Sequence, residues 1–218
     1  SGRNGGSRWR DAAALRDELE ERFHREALLI GASRDQVPDH HIGMFVTPIG
    51  GGTVLVGGAE GGEGAEGRED RLTTEALRTL RGTLREGEGQ GQGEGLLPGG
   101  MVPDFSEETV ARFRLVADVL RAAGLRVVTV PLVPTTTRFV YVTYNNVLID
   151  DRADGRHVMV PQYGIEGLDA AGRAVWEGLG FVVHPIDVSR LFVHGGAVRC
   201  VAAVVRRGPP TFARTAAR

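Results

Sequence analysis

Ala122-Ala-Gly-Leu-Arg-Val-Val128 and Gly178-Leu-Gly-Phe-Val-Val183 are two versions of one joint, a glycine followed by an apolar, β-branched run. Glycine tolerates the left-handed conformation that commonly ends a helix, and the run after it suits a strand. Each joint therefore predicts a helix before it and a strand after it. Ahead of the first, Val110, Phe113, Ala117 and Leu120 fall on one helical face, and Asp104 and Glu107 have capping-box spacing; the strand covers 125–130. Around the second, the pattern predicts strands at about 138–149 and 156–161, a helix at about 168–179 and a strand at 181–186.

The second stretch is a strand-strand-helix-strand unit. Upstream, Met44 to Ile49 and Thr53 to Val56 flank Gly50-Gly51-Gly52, which suits an antiparallel hairpin. With that hairpin in front of the first joint, the same unit spans 43–131. Residues 8–24 carry Ala12, Leu15, Leu19 and Phe23 at helical spacing and lead into Ala27-Leu-Leu-Ile30, the second half of a further unit. Ala197 to Val205 reads as a closing strand. The chain thus holds about two and a half units of an internal repeat. Two glycine- and glutamate-rich tracts, 57–70 and 86–100, flank a weaker helix around Leu72 to Leu84. They predict a mobile insertion at about 57–100 in a single α/β domain of residues 1–218.

Composition narrows the chemistry. All 26 basic residues are arginine, so Schiff-base catalysis, pyridoxal phosphate anchoring and the lysine of phosphate loops are excluded. The arginines are interspersed with 28 acids at a net charge of −2, which is not the footprint of a nucleic-acid binder. The glutamates of the glycine tracts argue against phosphate binding there. No apolar run approaches a membrane span, and the six histidines show no metal-binding spacing, so neither a membrane nor a metal is expected. The single cysteine, Cys200, excludes an internal disulfide and points to a reducing, cytoplasmic compartment.

Four local motifs resemble the pentein, or guanidine-modifying, superfamily, especially its agmatine deiminase and amidinotransferase branches. His41-Ile-Gly-Met44 resembles a His-x-Asp motif, with Gly43 where the aspartate belongs. Thr143-Tyr-Asn-Asn146 resembles a Ser-Tyr-x-Asn segment, and Val158-Met-Val-Pro-Gln-Tyr-Gly164 a Val-Pro-Gln-aromatic-Gly strand end. His194-Gly-Gly-Ala-Val-Arg-Cys200 resembles the stretch that ends in the nucleophilic cysteine. The resemblance covers roughly 37–206 and implies an α/β propeller of ββαβ units, incomplete here because its N-terminal units have no counterpart. It also implies a second chain, a missing N-terminal segment or a homo-oligomer as supplier of those units.

A guanidinium carbon is a poor electrophile, so its chemistry calls for a thiolate nucleophile, a proton-moving histidine and carboxylates that grip the nitrogens. The resemblance assigns the first two roles to Cys200 and His41 and places substrate against Asn146 and Gly196, with no cofactor. The residues alone also allow Cys200 to be buried filler, and His40 is the neighbouring alternative to His41. With Gly43 the guanidinium loses a charge-assisted partner worth about 1.5–3 kcal/mol per hydrogen bond, for which Asp35 or Asp39 is the candidate replacement. On a strand, Arg199 would point away from the neighbouring sulfur. The expected activity is that of a cysteine-dependent deiminase or amidinotransferase on a guanidino compound, through an amidino-thioether on Cys200. The other expectation is an inactive pentein-fold binding or structural module.

Overall fold

The computed structural model describes residues 10–31, 36–59, 67–89, 97–137 and 139–203. They form a mixed α/β fold with two sheets. The first has the order β1 (Val46–Gly50), β2 (Thr53–Gly58), β3 (Arg126–Pro134), β4 (Tyr141–Thr143), and the second β5 (Leu148–Arg152), β6 (Gly155–Gln162), β7 (Val182–Asp187). In each, the first two strands pair antiparallel and the third pairs parallel to the second, Val54 opposite Val127 and Val158 opposite Val183. The parallel return requires a crossover. In the second unit this is α4 (Glu166–Gly178); in the first it contains α2 (Arg68–Gly89) and α3 (Glu107–Ala122).

The two joints have the same backbone. Gly124 and Gly180 have φ of +80° and +83°. The next residue in each case donates back across the helix end, Leu125 N to Leu120 O at 3.1 Å and Phe181 N to Trp176 O at 3.2 Å. These are matching Schellman closures, in which a left-handed glycine satisfies carbonyls that the helix leaves open. Strands begin two residues later in both, at Arg126 and Val182.

Strand alternation distributes the core. Val54 and Val56 of β2 face Val110, Phe113, Val116 and Leu120 of α3, whereas Leu55 joins Leu77, Tyr144, Val160 and Trp176 on the other side. Helices α2 and α4 pack on one another and on β3, and α4 also covers β6 and β7. The carboxylate of Asp70 accepts from both Thr129 N (2.7 Å) and Thr129 Oγ1 (2.6 Å), tying α2 to β3.

Several expectations need correction. Helix α2 begins at Arg68 and buries Leu77 and Thr73, and β2 runs through Gly58, so 57–59 and 67–84 belong to the body of the fold. Leu77, with Leu72 and Leu80 packed beside it, marks a core helix, and only 60–66 and 90–96 of that stretch lie outside the described residues. The predicted strand at 138–149 is two strands: β4 closes the first sheet against β3, and β5 opens the second hairpin. After α1 (Ala12–Phe23), Ala27 to Ile30 has no strand partner among the described residues; Glu20 Oε1 of that helix instead accepts from Ala27 N at 3.0 Å. The cap of α3 is Ser106, whose hydroxyl accepts from Thr109 N, while Asp104 accepts from Ser106 N and Thr109 Oγ1. Val198–Val201 is a 3-10 turn, not the start of a closing strand, and 204–205 lie outside the described residues. Among the described residues no helix is long and apolar enough to cross a membrane.

Candidate functional site

Three segments distant in sequence converge: 40–44 before β1, 143–147 after β4, and 195–201 beyond β7. The middle one is a clamp. Thr143 Oγ1 donates to Met44 O (2.6 Å), Asn145 Nδ2 to Phe45 O (3.3 Å), and Thr47 Oγ1 to Asn145 O (2.6 Å). Asn146 then joins the outer segments: its Nδ2 donates to Gly43 O at 3.3 Å and its Oδ1 accepts from Arg199 N at 2.9 Å. All three side chains from this segment are buried, so these bonds are shielded from competing water.

The third segment bends at Gly195, whose φ of +82° a side chain would strain; an added Cβ would also meet Phe139 O at 3.2 Å. At Gly196 an added Cβ would stand 3.1 Å from Cys200 Cβ and 3.6 Å from its sulfur, so the bare glycine leaves room for the thiol. The following turn closes through Cys200 N to Ala197 O at 3.1 Å.

The outcome is a thiol and imidazole 159 residues apart in sequence, with Cys200 Sγ 3.5 Å from His41 Nε2. Both residues are exposed, and Met44 Sδ lies 3.9 Å from the sulfur. His40 does different work. Its Nδ1 accepts from His41 N at 2.8 Å, and its ring stands edge-on to His41 with centroids 4.5 Å apart. Burial, and next the neighbouring His41, lower the pKa of His40. It is held as a neutral acceptor, while His41 presents its ring to the thiol.

All four residues singled out from sequence thus meet here: Cys200 and His41 as the thiol and imidazole, Gly196 beside the sulfur, and Asn146 as the tie between segments. Asn146 uses both ends of its amide to hold the backbone of the two outer segments. Arg199 departs from expectation. A strand turns successive side chains by half a revolution, but a 3-10 turn has about three residues per revolution, so Arg199 and Cys200 diverge by about a third of a turn instead of opposing one another. The Arg199 Nη1 atom lies 3.9 Å from where a Gly43 side chain would begin, and His41 Nδ1 lies 3.4 Å from that point. Of the two proposed stand-in acids, Asp39 acts electrostatically on His40 and Tyr141, and Asp35 lies outside the described residues.

A second polar chain escaped the sequence reading. His157 Nδ1 meets His184 Nε2 at 2.9 Å, and His157 Nε2 meets Asp154 Oδ1 at 3.1 Å. The rings are nearly parallel, 15° apart, with centroids 5.2 Å apart. That span equals the nitrogen separation plus two ring radii, so the nitrogens point at each other as in a hydrogen bond and do not converge on a cation. The signal available was the parity of 157 and 184 on paired strands, visible only once the register is known. No protein-family model, curated protein or solved structure matches this chain.

Proposed function

We propose that the protein is a cysteine-dependent enzyme acting on a guanidino compound, as a deiminase or an amidinotransferase, within an incomplete pentein-type propeller of ββαβ units. The observation that carries this reading is the 3.5 Å approach of Cys200 Sγ to His41 Nε2, made by segments that the rest of the fold holds together. In the proposed reaction His41 takes the thiol proton and the thiolate adds to the guanidinium carbon. A C–N bond breaks as the leaving nitrogen collects the proton from His41, and an amidino-thioether remains on Cys200. Water or an amine, deprotonated by His41, then attacks that carbon and releases the thiolate. A second chain, a preceding segment or another copy of this chain is the proposed source of further propeller units.

One observation favours the other reading, an inactive pentein-fold module. Gly43 itself offers no carboxylate, and a guanidinium from Arg199 stands nearby, which disfavours a cationic substrate. Incubation with a set of guanidino compounds, followed by acid quench and intact-mass analysis, separates the two. The enzyme reading expects an amidino adduct that maps to Cys200 and is absent in Cys200→Ser. Neither adduct nor released amine from any guanidino compound would leave the module reading.

A further inference from the structure

The open face of Gly43 lies between an imidazole nitrogen and a guanidinium. His41 Nδ1 and Arg199 Nη1 stand 3.4 Å and 3.9 Å from the point where a side chain at 43 would begin. Among the described residues, neither that nitrogen nor the Arg199 guanidinium has a hydrogen-bond or ion-pair partner. We propose that this opening is a binding site for a carboxylate, which accepts from His41 Nδ1 and pairs with Arg199.

The chemistry follows from the residue types. Arginine presents a planar fork of donors suited to a carboxylate, and the second donor is an imidazole whose other nitrogen already addresses a thiol. A bound anion holds the Nδ1 proton and stabilises the imidazolium form of His41, which in turn stabilises the Cys200 thiolate. Gly43 is what keeps the place open. Its φ lies outside the left-handed region and an added Cβ meets nothing closer than 3.4 Å, so no backbone or packing requirement for glycine is evident there. Asn146 fixes the geometry by holding Gly43 O and Arg199 N at once.

This anion site does not depend on turnover of a guanidino compound, and its readout needs no substrate. Alkylation of Cys200 by neutral iodoacetamide is followed near pH 6 at constant ionic strength while formate replaces chloride. The expected result is a several-fold rate increase that saturates with formate, no saturation in Arg199→Leu, and a fast, formate-independent rate in Gly43→Asp. Guanidinoacetate and methylguanidine, run in parallel, identify the source of the carboxylate. Saturation by formate assigns a free anion, and saturation by guanidinoacetate but not methylguanidine assigns a carboxylate carried on a larger ligand. Wild-type rates unaffected by both formate and guanidinoacetate, or an equal response in a folded Arg199→Leu, would overturn the proposal. The His41 imidazole resonances of the wild-type protein give a second measure, since a bound carboxylate shifts them saturably whatever the variants do.

Discussion

At the scale of single residues, the site depends on who holds the imidazole and who holds the backbone. If His41 takes the proton of Cys200 as that thiol reacts, His41→Ala should slow native-state alkylation of the thiol at neutral pH by about tenfold. Mass spectrometry of the alkylated protein over time at pH 7 checks this, and an unchanged rate would remove His41 from that role. Asn146→Ala tests positioning. Two backbone groups lose their buried partner, so the expected loss is about 1–3 kcal/mol of stability in denaturant titration. The distinguishing readout is alkylation: the variant should behave like His41→Ala because the thiol and imidazole segments are no longer tied, although it touches neither reactive atom.

At the scale of elements, close packing reverses a familiar propensity. Replacing a helical glycine by alanine ordinarily stabilises by up to about 1 kcal/mol. Helix α4 contains two informative glycines. At Gly167 an added Cβ meets nothing within 4 Å, so Gly167→Ala should raise the melting temperature. At Gly172 it would strike the ring of buried Tyr144, whose hydroxyl donates to Asp169 and whose carbonyl accepts from Trp176 Nε1. Tyr144 is held at both ends, so Gly172→Ala should destabilise by about 1–3 kcal/mol. Calorimetry of the two variants gives opposite signs if α4 rests on that ring, and equal signs if it does not. The same contrast shows what was legible beforehand. The Gly124 and Gly180 joints announce themselves because a left-handed helix end needs glycine locally. The division of 138–149 between two sheets does not, because both halves are apolar and only their partners, Leu132 to Pro134 for β4 and Arg156 to Met159 for β5, tell them apart. Motifs far apart in the sequence single out Cys200, His41, Asn146 and Gly196, and the fold brings these four together. The strand expected from Ala197 is absent at 198–201 because a Gly-Gly bend followed by Ala-Val-Arg-Cys-Val suits a strand locally, whereas the chain closes a 3-10 turn there.

At the scale of the whole molecule, the buried aromatic and imidazole groups set a pH range for stability. All three tyrosines, Tyr141, Tyr144 and Tyr163, are buried. Burial pushes Tyr141 up to about 12, and burial, reinforced by the Asp169 carboxylate, pushes Tyr144 well above its ordinary value. Burial likewise raises Tyr163, whose hydroxyl donates to Thr143 O at 2.7 Å. A tyrosine whose folded pKa exceeds its unfolded value of about 10 contributes stability that is complete below that pH and is lost as pH rises through the folded value. His40 has the opposite sign: a depressed base contributes stability above its unfolded value of about 6.5 and loses it as pH falls through the folded one. The chain should therefore be most stable between about pH 6.5 and 10, weakening on both sides. The alkaline limb gives the sharper test. In the native protein no tyrosinate absorbance should develop near pH 10; it should appear later, in one step that coincides with loss of the circular dichroism signal, whereas in denaturant all three tyrosines ionise near 10. Independent titration of any tyrosine near pH 10 before unfolding would place that ring at the surface and contradict the packing of the 141–144 segment, on which the clamp around His41 and Cys200 is built.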